Sequence, residues 1–304
     1  REGFISKSEF LTAKDSPLYI NPSTPKYFNS SAPFFSSWVY TQIPKILSQE
    51  QIELGGLTIL TSLNLNWQSK AKEIINEYSP AGTEAALVSI EPMSGLVRVL
   101  VGGKNFKSNQ FNRATQAFRS PGSTFKIFTF AAALKHGFTP QDIFLDAPRC
   151  WYGYCPQNFG KKYLGEISLV DAFKTSSNTV AVQLLDIIGF DKVIATANSL
   201  GVGEERKLGH YYPLAIGAYE ETVLNMTAAY AGITNRGIYF KPSPIIEIRD
   251  HNNKVIWSKD STSSAGKRVM KKNIADQLNW MLQKTVTEGT GSAASLPNRS
   301  VAGK

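Results

Sequence analysis

The tetrapeptide Ser123-Thr124-Phe125-Lys126 sets a nucleophile and a base at a spacing that lets them meet. A serine hydroxyl is a poor nucleophile at neutral pH and needs a base in contact with it. Residues three apart share a helix face, so a helix through this segment lays the Lys126 amine beside the Ser123 hydroxyl. The apolar run 127–134 reads as a buried helix that drives both groups into a core edge, where desolvation lowers a lysine pKa and leaves a neutral amine. Free N–H groups of a first helical turn, that of Ser123 among them, suit an oxyanion. Pro121-Gly122 permits a tight approach to that turn. The chemistry is acyl transfer through serine. Taken alone, however, Ser-x-x-Lys recurs by chance, and an N-cap serine with a snorkelling lysine is the commoner meaning.

Two companions change the balance. Ser176-Ser177-Asn178 opens the apolar helix expected over 179–188. Serine and asparagine cap helices in any protein. Read as chemistry, the Ser176 hydroxyl relays a proton between Lys126 and a leaving amine, and the Asn178 amide holds a substrate carbonyl and hydrogen-bonds Lys126. Lys304 follows the strand-like pair Val301-Ala302. On an edge strand facing the nucleophile, it would fix a substrate carboxylate, and its field would help keep Lys126 neutral.

Cys150 and Cys155, the two cysteines, bracket Trp151-Tyr152-Gly153-Tyr154. Two ligands do not close a structural zinc site, and His136, His210 and His251 are dispersed, so no metal is expected. A local disulfide pinning the loop, in an oxidising compartment, and two unpaired thiols both stay open.

The positioning elements follow from periodicity and punctuation. Residues 6–14 read as a short helix, 36–47 as another after a long Ser/Pro/aromatic connector, and 57–63 as an alternating strand. A helix over 66–78 would face inward with Trp67, Ala71 and Ile74. Residues 85–90 and 96–101 form a hairpin across Glu91-Pro92-Met93-Ser94-Gly95. After the 124–135 helix, the stretch 168–237 reads as all-helical, stopped at Gly189, Gly201, Gly203 and Gly237. Strands return at 245–249 and 254–257, a polar loop covers 261–266, and a helix spans 273–286. The order strands, long helical insertion, strands predicts an α/β domain of α+β type, an antiparallel sheet with helices packed on and beside it.

The bulk properties agree with a folded domain. The chain has 304 residues, 42% apolar and 19% charged, enough for one large domain or two ordinary ones. Its formal charge is +9, from 33 Lys and Arg against 24 Asp and Glu, but the excess is scattered. It suits an anionic surface or simply a solvated face. No concentrated Arg/Lys stripe supports nucleic acid as a partner. The longest apolar run, 127–134, falls far short of a membrane span.

In this order, Ser-x-x-Lys at 123–126, Ser-x-Asn at 176–178 and Lys304 resemble the three motifs of the penicillin-binding proteins and serine β-lactamases. The segment from Arg113-Ala114 through Gln116-Ala117-Phe118-Arg119-Ser120-Pro121-Gly122 into the nucleophile tetrapeptide resembles the same region of the bifunctional class A penicillin-binding proteins. So do residues 55–63, 86–95, 228–231 and 235–237, and the resemblance covers nearly the whole chain.

That resemblance implies a penicillin-binding transpeptidase or serine β-lactamase-like fold, with an antiparallel sheet and a helical subdomain. It makes Ser123 the acylated nucleophile, Lys126 its base, Ser176 and Asn178 the second motif, and Lys304 the first residue of Lys-Thr-Gly. The substrate would be the D-Ala-D-Ala end of a peptidoglycan stem peptide. An amine of a neighbouring stem peptide would accept the acyl group in a 4,3-type or related cross-link; water accepting it would make the enzyme a carboxypeptidase. No cofactor is implied, and β-lactams would acylate the same serine. Residues 1–50 resemble the end of a glycosyltransferase domain and its linker, and 51–304 a transpeptidase domain ending at the lysine of the third motif, with the closing strands and final helix missing. A parent protein would carry upstream a membrane anchor and glycan polymerisation from a lipid-linked precursor, at the outer face of the bacterial inner membrane. Two rivals remain. A β-lactamase or β-lactam sensor would need a deacylating base that nothing marks, and a non-catalytic module would keep the motifs around an incomplete site.

Overall fold

The computed structural model describes residues 5–17, 25–259 and 266–304. Helix α1 (Lys7–Asp15) starts at a capping box in which Ser6 and Glu9 satisfy each other's backbone N–H. Helix α2 spans Pro33–Gln42, three residues earlier than the pattern predicts, because Pro33 supplies the preset φ of a first helical position. A short α3 (Gln49–Glu53), unforeseen, has its own capping box at Ser48. Next come β1 (Thr58–Thr61), α4 (Leu65–Tyr78), β2 (Leu87–Ile90) and β3 (Val97–Val101). Phe34, Phe35 and Trp38 of α2 share a core with Val97, Leu100, Ile245 and Ile248.

Helix α4 turns a different face inward from the one expected. Gln68, Ala71 and Ile75 are buried, while Trp67 is 57% exposed. The cause is a backbone need. The Gln68 Nε2 donates to Leu100 O at 2.9 Å, and its Oε1 accepts from Leu100 N–H at 2.9 Å. One side-chain amide thus replaces the missing strand neighbour of β3, and a buried backbone pair outweighs an exposed indole.

The middle of the chain builds the helical subdomain. Helix α5 (Lys126–Lys135) lies at its centre, buried from Lys126 through Leu134. Around it pack α6 (Leu169–Lys174), α7 (Asn178–Ile188), α8 (Phe190–Ser199) and α9 (Val223–Thr234), which share one large apolar core with it. Preceding α6, β4 (Ile143–Asp146) pairs antiparallel with β5 (Gly165–Ser168). The sequence reading missed both strands, since four residues each give too few alternations to register.

The chain then returns to strands through β6 (Ile238–Tyr239), β7 (Ile245–Arg249), β8 (Val255–Ser258) and β9 (Lys267–Arg268), and α10 (Lys272–Glu288) packs back on the helical core. The loop expected over 261–266 lies outside the described residues except for Gly266. The sheet is not one continuous ladder. Strands β1, β7 and β8 form a three-stranded antiparallel sheet, while β2–β3, β4–β5 and β6–β9 are separate antiparallel pairs. A parallel bridge between Leu96 and Ser243 stitches the first two together, with Val97 N–H donating to Ser243 O and Ser243 N–H to Gly95 O at 3.0 Å each, and the Ser62 hydroxyl adds a bond to Val97 O at 2.6 Å. Residues 301–302, expected to begin a strand, run without ladder partners among the described residues; Gly303 N–H bonds instead to Leu282 O of α10 at 3.2 Å. The architecture is the mixed α/β kind expected, antiparallel sheets with a helical subdomain.

Candidate active site

A 3₁₀ turn, Gly122–Phe125, runs directly into α5 and carries the serine. The turn is fixed from below by a second one, Tyr212–Ile216, that ends at Gly217. The Ser120 hydroxyl and Gly122 N–H both bond to Gly217 O, at 2.5 and 3.2 Å. Gly217 has φ of 82°, and a Cβ there would collide with the Gly122 carbonyl. Only glycine lets the two turns approach so closely. From α9, the Tyr230 hydroxyl donates to Thr124 O at 2.9 Å, and burial raises its pKa.

This frame leaves Ser123 exposed and Lys126, one turn on, wholly buried. Lys126 Nζ lies 3.1 Å from Ser123 Oγ, 3.0 Å from Ser176 Oγ, 2.6 Å from Ser176 O and 2.5 Å from Asn178 Oδ1. The two carbonyl oxygens can only accept, so they engage two N–H groups. A neutral amine then has one lone pair left, on the side of the two hydroxyls. Burial pushes the Lys126 pKa down to about 7, and the charge of Lys304 adds to the effect. The neutral form is therefore well populated near neutrality.

Lys304 lines the same cleft. Burial pulls its pKa to about 8, and its ammonium stands 5.2 Å above the Phe173 ring. It stays largely cationic where Lys126 is half neutral.

The second motif resolves its two readings by dividing the labour. Ser177 is the cap, accepting Val180 N–H at 3.1 Å. Ser176 sits at φ of 64°, a left-handed turn that directs both its carbonyl and hydroxyl at Lys126. Behind them is a residue the sequence reading missed. Asp146 Oδ1 accepts from the Ser177 hydroxyl at 2.8 Å, from Asn158 Nδ2 at 2.7 Å and from the Thr179 hydroxyl at 2.5 Å. Burial works to raise the Asp146 pKa, but these bonds and Leu164 N–H outweigh it and hold the carboxyl below its usual range. Gln157 and Asn158 were also missed. The Gln157 carbonyl accepts from Asn178 Nδ2 at 2.7 Å, and Asn158 Oδ1 accepts Asn178 N–H at 2.8 Å.

Ser123, Ser176, Asn178 and Lys304 open on one cleft of about 770 Å³, with Thr290 and Phe159 at its sides. Lys126 forms the floor beneath Ser123 through the contacts above. Cys150 and Cys155 are joined in a disulfide in the loop between β4 and β5. Among the described residues, no three His, Cys, Asp or Glu side chains gather as metal ligands would.

A serine hydroxyl and a buried lysine amine thus face each other at the head of the central helix of a mixed α/β fold. The chain belongs to the penicillin-binding protein transpeptidase family: the model of the penicillin binding protein transpeptidase domain matches residues 85–304. It is homologous to the bifunctional class A members, a family that acts in peptidoglycan cross-linking. It is similar to penicillin-binding protein 1A of Aquifex aeolicus, at 35% identity over 73% of this chain and 30% of that protein. Penicillin-binding protein 1F of Bacillus subtilis is 30% identical over 97% of this chain and 42% of its own length. The chain thus spans well under half of these relatives. Among solved structures, the D,D-transpeptidase domain of a peptidoglycan glycosyltransferase from Eggerthella lenta superposes with a TM-score of 0.69 at 25% identity, over 83% of this chain and 71% of that one. The penicillin-binding protein PonA1 of Mycobacterium tuberculosis gives 0.75 at 23% identity, over 83% and 69%.

Proposed function

We propose that Ser123 is acylated by the D-Ala-D-Ala end of a peptidoglycan stem peptide and passes the acyl group to an amine of a second stem peptide. Neutral Lys126 takes the Ser123 proton as Oγ attacks the penultimate carbonyl. The Ser123 N–H donates to the oxyanion, the Asn178 side chain lies beside the peptide, and Lys304 pairs with its terminal carboxylate. As the tetrahedral intermediate collapses, the C–N bond breaks and the proton on Lys126 passes through the Ser176 hydroxyl to the departing D-Ala amine. The acceptor amine then reverses the sequence; water in its place gives carboxypeptidase activity. A β-lactam follows the first half and stays attached. What carries this reading is the Lys126 amine, with two N–H groups held by carbonyls and its remaining valence 3.1 Å from an exposed serine hydroxyl.

In the whole protein, residues 1–50 would close a glycosyltransferase domain and its linker and 51–304 would be the transpeptidase domain. An anchor outside this chain would hold it at the outer face of the bacterial inner membrane, where lipid-linked precursor is polymerised. The fold sets no physical break at residue 50, since α2 packs into the sheet core. The test is intact-mass measurement after incubation with a labelled penicillin. A one-to-one adduct that disappears in Ser123→Ala is expected; an adduct that survives the substitution, or none in folded protein, sinks the assignment.

A further inference from the structure

The disulfide loop takes no part in the chemistry above, yet the chain leaves it directly into the cleft wall. Residues 147–164, between β4 and β5, contain only one short 3₁₀ turn, Phe159–Lys161. Within them the Cys150–Cys155 bond closes a small hairpin, where Trp151 and Tyr154 exchange backbone bonds at 2.8 Å each. Trp151 anchors this hairpin: its ring is buried and its Nε1–H donates to Asp186 at 3.2 Å. Two and three residues past Cys155, the Gln157 carbonyl and the Asn158 amide meet Asn178. Asn158 is itself tied down, its Nδ2 donating to Asp146 at 2.7 Å and to Lys162 O at 3.0 Å.

These bonds decide which way the Asn178 amide faces. Because Nδ2 donates to Gln157 O, Oδ1 is left to accept from Lys126. With the amide turned over, two N–H groups would confront the lysine amine and the 2.5 Å contact would be lost. We infer that Gln157 and Asn158 are positioning residues for acyl transfer, held in place by the Cys150–Cys155 disulfide, and that they act by orienting Asn178 against Lys126. The inference rests on the Ser123 reading. Its physical basis is that the bond closes the hairpin anchored by Trp151 and so removes conformational freedom from the segment that runs directly into Gln157. Both cysteines are exposed, so the bond spans the surface of the loop and fills no core.

Cys150→Ala/Cys155→Ala and Asn158→Ala test this in the full chain, with intact mass confirming loss of the disulfide in the first. The readout is the second-order rate of Ser123 acylation by a fluorescent penicillin, followed against pH. The groups around Lys126 that carry charge are Lys304 across the cleft and, on the loop side, Asp146 and Lys162, all unchanged in both variants. The expected result is an adduct still on Ser123, formed about tenfold or more slowly, because small misplacements of catalytic groups carry such factors. The acid limb of the profile moves to higher pH as the loosened wall lets water reach the amine. Rates and limbs within twofold of the native protein overturn the inference. So does a slower rate with an unmoved limb, which marks the loop as structural only. If one variant does not fold, the other decides. Native, oxidised protein that forms no adduct would sink the Ser123 assignment instead.

Discussion

Two lysines far apart in the sequence, Lys126 and Lys304, meet at one cleft, and the proposed mechanism needs them in opposite charge states. In the proposed mechanism Lys126 is neutral and Lys304 charged, and their pKa values of about 7 and about 8 leave a narrow window between them. Acylation by a carboxylate-bearing β-lactam should rise as pH passes about 7 and fall above about 8, a bell with both limbs close together. Lys304→Met removes a cation whose field disfavours protonation of Lys126, so the acid limb should move upward. The move is partial, because burial is the larger cause and stays. The rate itself should drop by at least about tenfold, the worth of one lost charge-assisted bond. Stopped-flow acylation from about pH 5.5 to 9.5 reads both; an unmoved acid limb would show that Lys304 does not act on Lys126. The spacing of Ser123 and Lys126 was legible because an i, i+3 pair on a helix needs no tertiary knowledge. Asp146 was not: it meets Ser177 across 31 residues of sequence, and no local pattern ties a charge closing one strand to a cap opening a helix.

Among the elements, those with long or strongly patterned signals were read correctly in kind. The 85–101 hairpin, the buried α5 and the helical run from α6 to α9 all have the expected character. Short elements such as β4 and β5 escape the pattern, and a backbone requirement can also override side-chain hydropathy. Helix α4 shows it best, since hydropathy puts Trp67 and Ile74 inside while the edge of β3 demands Gln68. This sets a test of the two readings. Gln68→Leu raises the apolar content of a buried position and by pattern alone should be harmless. The structure says it strips the Leu100 N–H and carbonyl of their partner. A loss of about 2–6 kcal/mol is expected, from two buried groups at about 1–3 kcal/mol each. Trp67→Ala, on the exposed face, should change stability by less than about 1 kcal/mol. Urea denaturation of the two proteins compares them directly. A Gln68→Leu protein as stable as the native one would mean that the edge of β3 is satisfied in some other way.

For the molecule as a whole, the site proposed for the chemistry weakens the fold at the pH where the proposed mechanism runs best. An unfolded chain holds protons on both lysines up to about pH 10.5, whereas the folded one sheds them from about 7 and 8. Between these limits the unfolded state binds more protons, so stability rises with pH, by up to about 1.4 kcal/mol per pH unit for each lysine. The tyrosines act in the opposite sense. Tyr212, through its bond to Asp186, and Tyr239, through burial, are pushed up to about 12, and Tyr230 is also raised by burial. Their contribution is complete below about pH 10 and is lost as pH climbs toward the folded values. Stability should therefore peak near pH 9 to 10, roughly two units above the acylation optimum. Urea midpoints at intervals from about pH 6.5 to 11 trace this curve. Lys126→Met supplies the control. Ser176 O and Asn178 lose a donor in it, which shifts its stability at every pH, but the slope between about pH 7 and 9 should fall by about half. The scattered +9 charge adds its own repulsion at low pH in both proteins and cancels in the comparison. A native slope no steeper than the variant's would mean that Lys126 titrates alike in the folded and unfolded chain, and the neutral amine that the mechanism requires would have no source.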